Sequence, residues 1–124
     1  MTQINQVYKC ELCGNIVEVL HKGEGKLECC GKNMIILSEN ITDATLEKHI
    51  PLLEKSQGGI IIKVGKEEHP MTEKHNIEWI EVITNNKTYR KCLKANERAE
   101  AIFKIDEEIL AVRAYCNLHG LWKK

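Results

Sequence analysis

No charge of one sign dominates this sequence: 18 Lys and Arg stand against 18 Asp and Glu, a formal net charge of zero. Neither nucleic acid nor an acidic membrane would meet an attracting field, so neither is expected as a partner, although a local basic patch is compatible with the balance. Long apolar runs are missing as well. The longest span a handful of residues, against the roughly 20 that a helix needs to cross a bilayer. The opening residues MTQINQVYKC have neither the basic nor the apolar region of a signal peptide, so a soluble, cytoplasmic protein is expected. There is no internal repeat and no low-complexity segment. What remains is a chain of 124 residues, 43% of them apolar, which suits one domain of ordinary size or two small ones. Six cysteines in a cytosolic chain argue against a disulfide framework and for metal or redox chemistry.

Those cysteines are not spread evenly. Four fall at Cys10, Cys13, Cys29 and Cys30, whereas four of the five histidines come later, at His49, His69, His75 and His119. The segregation predicts a small module over residues 1–37 and a larger one over 38–124. The first has few apolar residues, and chains so short usually need a metal or crosslinks to fold. YKCELCGNIVEVL reads as strand, cysteine-bearing turn with Gly14, then strand; HKGEGK is a turn, and LECCGKNMIIL opens with a further strand.

The second module reads as mostly β. Strand candidates are GGIIIKVG (58–65), NIEWIEVIT (76–84) with the turn NNK after it, TYRKCLK, AEAIFKI (99–105) and EILAVRAYC (108–116). Turn signals about every 10 residues predict a β-sandwich, so the fold class is all-β. DATLEKHIPLLEKS (43–56) has helix-like spacing at Leu46, Ile50 and Leu53, but Pro51 inside it argues against a long helix. It is expected as an extended or irregular loop carrying His49.

Cys10-x2-Cys13 followed by Cys29-Cys30 is a complete set of four thiolates, suited to tetrahedral zinc or iron. A structural zinc and a mononuclear iron that moves electrons both remain open. The adjacent pair is unusual, since two C-x2-C arms are the common arrangement. A disulfide between Cys29 and Cys30 is the weakest reading, because neighbours bridge only with strain. His21, in the turn HKGEGK, reads as a surface residue. The other four histidines each stand beside a turn signal or a strand end, where the loops of a sandwich gather. Cys116 and His119, in AYCNLHGLWKK, look like half a zinc finger without a second half nearby. Imidazole with one thiolate suits iron, zinc or copper.

YKCELCGNIVEVL, CCG, SEN, EKHIP, HPMTEKH, IEWIE and CNLHGLWK occur in this order from residue 7 to residue 123. In these motifs the whole chain resembles the desulfoferrodoxins, the two-iron class of superoxide reductase. The resemblance implies a desulforedoxin-like domain at 1–37, with Cys10, Cys13, Cys29 and Cys30 on an FeS4 centre that zinc can replace. It implies an immunoglobulin-like catalytic sandwich at 38–124, with His49, His69, His75 and His119 as equatorial nitrogens and Cys116 as axial sulfur on a second iron. Glu47 and Lys48 fall in the family motif beside the open sixth position. The Glu can occupy that position in oxidised iron, and the Lys assists the anion. The implied reaction is one-electron reduction: superoxide, one electron and two protons give hydrogen peroxide. A rubredoxin-type donor, a homodimer and an anaerobic or microaerophilic cell belong to the same implication.

The chemistry is consistent with those residues. Ferrous iron with four neutral imidazoles and one thiolate keeps one positive charge, and Lys48 adds another to steer a small anion. The Cys116 thiolate pushes electron density toward the metal, and water ordered by Lys48 supplies a proton that favours peroxide release. The FeS4 centre is read as accessory, its bland alternative being to fold the small module and support a dimer. Two rivals stay open: an electron carrier with no open site, and a zinc-stabilised interaction module. Ala114 stands where several members of the family carry Glu. Cys92 is expected as a partly buried free thiol, Trp79, Trp122 and Tyr115 as packing residues, and KVGKEEH and KANERAEA as solvated faces.

Overall fold

The computed structural model describes residues 1–41 and 49–124, which fall into two compact units, Met1–Ser38 and Glu39–Lys124. Every regular element among the described residues is a β-strand, so the chain is all-β. No helix there is long and apolar enough to cross a membrane.

In the first unit, strands β1 (Val7–Lys9), β2 (Ile16–Glu18) and β5 (Ile35–Ile36) form an antiparallel sheet in the order β2-β1-β5. Strands β3 (Glu28–Cys29) and β4 (Lys32–Asn33) form a separate two-stranded ribbon. The buried apolar residues here are Val7, Cys10 and Val19, while Leu12, Val17, Leu20, Ile35 and Ile36 are exposed. So small a core supplies little of the folding free energy, which leaves the cysteine cluster as the principal staple once it holds an ion.

The second unit contains β6 (Glu39–Asn40), β7 (Pro51–Ser56), β8 (Gly59–Val64), β9 (Ile77–Thr84), β10 (Thr88–Cys92), β11 (Glu100–Phe103), β12 (Ile109–Cys116) and β13 (Gly120–Lys123). One sheet runs β10-β9-β12-β13-β6 and the other β11-β8-β7. All pairs are antiparallel except β13 with β6. Alternate residues face inward, as a pleated strand requires: Ile60, Ile62 and Val64 of β8 and Ala101 of β11 meet Ile80 and Val82 of β9 and Val112 and Ala114 of β12 in one apolar core. This is a β-sandwich.

One departure from the sequence reading and one irregularity of the ladder position the site. The stretch 43–56 is not a loop throughout, because Pro51–Ser56 is strand β7. Pro51 is the first residue of an edge strand, where its missing N–H takes little from the ladder. Residues 42–48, including Glu47 and Lys48, lie outside the described residues. The irregularity is a bulge. Tyr115 pairs with Trp79 but Cys116 pairs with Ile77, so Glu78 is the extra residue on β9. Such an insertion changes the facing of the residues beyond it. Ile77 and Ile80, three apart, therefore both reach the core that Cys116 also enters.

Candidate metal centres

Consecutive side chains of an extended strand point to opposite faces, so Cys29 and Cys30 can share one ion only if the backbone leaves the strand between them. It does so here: Cys30 has φ 54° and Gly31 φ 76°. A non-glycine residue in this left-handed region costs on the order of 1 kcal/mol or more, which marks the turn as functional. At the other arm, Gly14 (φ 85°) closes a turn in which its N–H donates to Cys10 O at 2.9 Å. The four sulfurs all lie within 4.8 Å of one another. Cys13 Sγ is 3.5 Å from Cys29 Sγ, which is 3.9 Å from Cys30 Sγ.

Such crowding splits the acidities. A hydrogen bond from the Cys13 backbone N–H, opposed by desolvation, brings Cys10 down to about 6. Hydrogen bonding with the Cys13 side chain, then with Cys29, pushes Cys30 up to about 12, and the Cys13 side chain likewise raises Cys29. One thiolate therefore forms readily and resists its neighbours' ionisation. A cation that accepts all four soft donors removes that conflict, and the donor set fits zinc or iron. None of the cysteines is in a disulfide.

The second cluster draws on four separate segments at one end of the sandwich. His49 lies just before the start of β7, His69 and His75 lie in the β8–β9 connection, Cys116 ends β12, and His119 sits in the turn to β13. Their donor atoms also lie within 4.8 Å of one another. The imidazoles form a closed cycle. Ring centroids are 5.0 Å apart for His49 and His69, 4.7 Å for His69 and His75, 5.1 Å for His75 and His119, and 4.7 Å for His119 and His49. Successive planes are inclined by 68°, 79°, 69° and 73°, as the vanes of a pinwheel would be. Cys116 is fully buried beside this ring, its Sγ 3.7 Å from His119 Nδ1, whereas His119 is exposed.

The histidine that is most buried shows the fit to a metal. His69 Nδ1 lies 2.7 Å from Pro70 O, so it carries the proton and donates it to that carbonyl. Its Nε2 is then an unprotonated acceptor, buried and without a hydrogen-bond partner. An orphaned acceptor in a buried position calls for an ion or a donor, and the carbonyl fixes the tautomer that a ligand needs. Burial lowers His69 to about 4, keeping the ring neutral. Burial raises the Cys116 thiol, against the opposing backbone N–H groups of Leu118 and His119, so a bound cation is what makes the thiolate.

Polar residues that the sequence reading missed hold the cluster. Asn117 Oδ1 accepts the Asn76 N–H at 2.9 Å, and its Nδ2 donates to Lys74 O at 2.9 Å, tying the His75 loop to the Cys116 turn. Within that loop, Thr72 Oγ1 accepts the His75 N–H at 3.0 Å. Asn76 and Asn117 each directly follow a cluster residue, a signal the sequence did carry. Trp122 stacks on His49 at 4.6 Å and 18°, and its Nε1 donates to His119 O at 3.1 Å. Trp79 stacks instead on Tyr115, at 4.6 Å and 14°. Cys92 is exposed on edge strand β10, a correction to the expected partly buried thiol. Ala114 lies fully buried in the apolar core, where a small neutral side chain costs no desolvation. His21 is exposed and belongs to neither cluster.

Fold and clusters together define an all-β metalloprotein with one four-thiolate centre and one centre of four imidazoles and a thiolate. The family description "Desulfoferrodoxin" matches residues 41–124, and "Desulfoferrodoxin, N-terminal domain" matches residues 2–37. A desulfoferrodoxin of Syntrophotalea carbinolica is 58% identical over 122 residues, covering 98% of this chain and 97% of its own. The chain belongs to the desulfoferrodoxin family. Its fold is shared with the superoxide reductase of Treponema pallidum, at a TM-score of 0.78, 24% identity, and coverage of 96% and 95% of the two chains. A superoxide reductase of Giardia intestinalis is similar at 31% identity and a TM-score of 0.56, covering 63% of this chain and 95% of that one.

Proposed function

We infer that this protein is a superoxide reductase, reducing superoxide to hydrogen peroxide with one electron and two protons. The observation that carries this reading is the closed ring of four imidazoles with one buried cysteine sulfur beside it and an exposed imidazole at its rim. The cofactors are two iron ions per chain, one at each cluster; zinc is a possible substitute at the sulfur site. When bound, the second iron supplies the electron and a positive site for a small anion.

In this reading His49, His69, His75, His119 and Cys116 hold the catalytic iron, and Cys10, Cys13, Cys29 and Cys30 hold the accessory one. The chain's own part is to hold these groups ready. Pro70 O keeps the His69 proton on Nδ1, and the Leu118 and His119 N–H groups donate to the Cys116 sulfur. Neutral imidazoles leave the thiolate as the one anionic donor, which preserves a net positive site for superoxide. Lys48 would steer the anion and order the water that protonates the product, and Glu47 would supply a carboxylate to the oxidised metal. A rubredoxin-type protein is the electron donor. The molecule is a cytoplasmic homodimer with domains at 1–37 and 38–124. The row Val17–Tyr8–Ile36 across one sheet face, with Val17 and Ile36 exposed, supports self-association.

Metal analysis, visible spectroscopy and pulse radiolysis test the reading together. Two irons per chain, and a ferric–thiolate band that is lost in Cys116→Ser and His49→Ala, are expected. Lys48→Ala slows superoxide capture and flattens its dependence on ionic strength. A colourless zinc protein, or a second iron whose spectrum ignores azide and superoxide, overturns it.

A further inference from the structure

We propose that Trp122 is a positioning residue of the imidazole–thiolate centre, holding His49 by its ring face and His119 by its indole N–H. The inference rests on the reading of that cluster as a metal centre and goes beyond it.

His49 and His119 come from segments 70 residues apart, yet His49 Nε2 and His119 Nδ1 lie 3.0 Å from each other. That is hydrogen-bond distance, and presenting both lone pairs to an ion instead requires the two rings to be held at the right angle. The second torsion of a histidine is broad and roughly two-fold, so its own rotamer preferences do not fix the ring plane. A face-to-face neighbour does. The Trp122 indole lies over His49 at 4.6 Å with only 18° between planes. The same side chain reaches His119 through the backbone, Nε1 to O at 3.1 Å, pinning the turn that carries the imidazole.

Trp122 is itself well held. On β13 it pairs with Ala114 of β12 on one side and with Asn40 of β6 on the other. Asn40 adds a side-chain bond, Nδ2 to Leu121 O at 3.1 Å. The indole is thus fixed to the sheet that ends in Cys116, and it transmits that rigidity to two imidazoles outside the sheet. The stacking also has an electronic side. Metal binding draws electron density from an imidazole, and a more positive ring is held more strongly by the electron-rich indole face. Trp122 therefore favours the loaded site over the empty one.

The test compares Trp122→Phe, which keeps a ring face and loses the N–H, with Trp122→Leu, which loses both. Affinity for iron(II), and separately for zinc, is measured by chelator competition on the full chain, with the EPR and visible spectra of the ferric form. Partners of metal ligands typically contribute 10- to 100-fold in affinity. Trp122→Leu is expected to weaken both metals by about 10-fold or more and to broaden the ferric EPR signal, with Trp122→Phe between it and the parent. Zinc keeps the test independent of superoxide chemistry: a loss seen with both metals supports positioning even where the reductase reading fails. Parent-like affinity and spectra in Trp122→Leu overturn the proposal. So does a lowered thermal midpoint in both variants with unchanged affinity, since that marks simple packing.

Discussion

Replacing Arg113 by methionine should destabilise the sandwich by about 3 kcal/mol, and replacing its partner Glu81 as well should not double the loss. Both side chains are 1% exposed. Arg113 Nε donates to Glu81 Oε1 at 2.7 Å, and its Nη2 bonds the same oxygen. Arg90 Nη2 bonds Glu81 Oε2 from the edge strand, and Arg113 Nη1 reaches Glu39 Oε2 at 3.1 Å. Lys123 lies 3.6 Å from the other Glu39 oxygen. The charges thus cross all five strands of the larger sheet, from β10 to β6. Removing one member of a buried pair costs roughly 3–5 kcal/mol, because the other charge stays in a medium that solvates it poorly. The low end applies to Arg113→Met, since Glu81 keeps Arg90. In Glu81→Met/Arg113→Met the two buried charges leave together. Arg90 and Glu39, 39% and 37% exposed, already reach water and are solvated without the buried pair. The double variant should lose no more than either single one, where independent sites would sum to about 6 kcal/mol. Urea unfolding at a fixed excess of metal reads this out. With a slope of about 1.5 kcal/mol per molar, each single variant moves the midpoint down by about 2 M. Additive losses, or single shifts below about 0.5 M, would refute the account of a mutually dependent buried pair.

Asn117→Ala should speed metal release from the imidazole–thiolate centre by up to roughly 30-fold, since two hydrogen bonds of about 1 kcal/mol each tie the His75 loop to the Cys116 turn; stopped-flow chelation measures it, and a parent-like rate would show that the loop holds itself. The metal-free protein should lose stability on acidification through His69. Its folded value of about 4 lies below the 6.5 of an unperturbed ring, so the unfolded chain binds the extra proton between those values. The neutral buried ring's contribution is therefore complete above pH 6.5, declines as pH falls toward 4, and is level below that. Urea midpoints across this range should fall more steeply for the parent than for His69→Asn, and equal slopes would contradict a buried neutral imidazole.

Local signals were enough for much of the fold. Apolar β-branched runs bounded by glycine or turn residues placed 58–65, 76–84 and 108–116 close to the observed strands Gly59–Val64, Ile77–Thr84 and Ile109–Cys116. The cysteine spacing marked the first cluster because both arms lie in short turns, where sequence neighbours are spatial neighbours. Pro51–Ser56 escaped, since a proline-led edge strand is decided by the partner it pairs with, here β8. Glu81 and Arg113 look like the polar side of alternating strands, and only the ladder between β9 and β12 reveals them as a buried pair.

Residue types and spacings alone thus determined the all-β class, the sulfur tetrad and the candidate donors, because these depend on local geometry and on what thiolate and imidazole can bind. Convergence is a different matter. His49, His69, His75 and His119 are brought into one ring by strand order, by the bulge at Glu78 that lets Cys116 enter the core, and by an indole stacked from β13. Those are long-range packing choices, settled when two sheets bury a common core, and no window of sequence contains them.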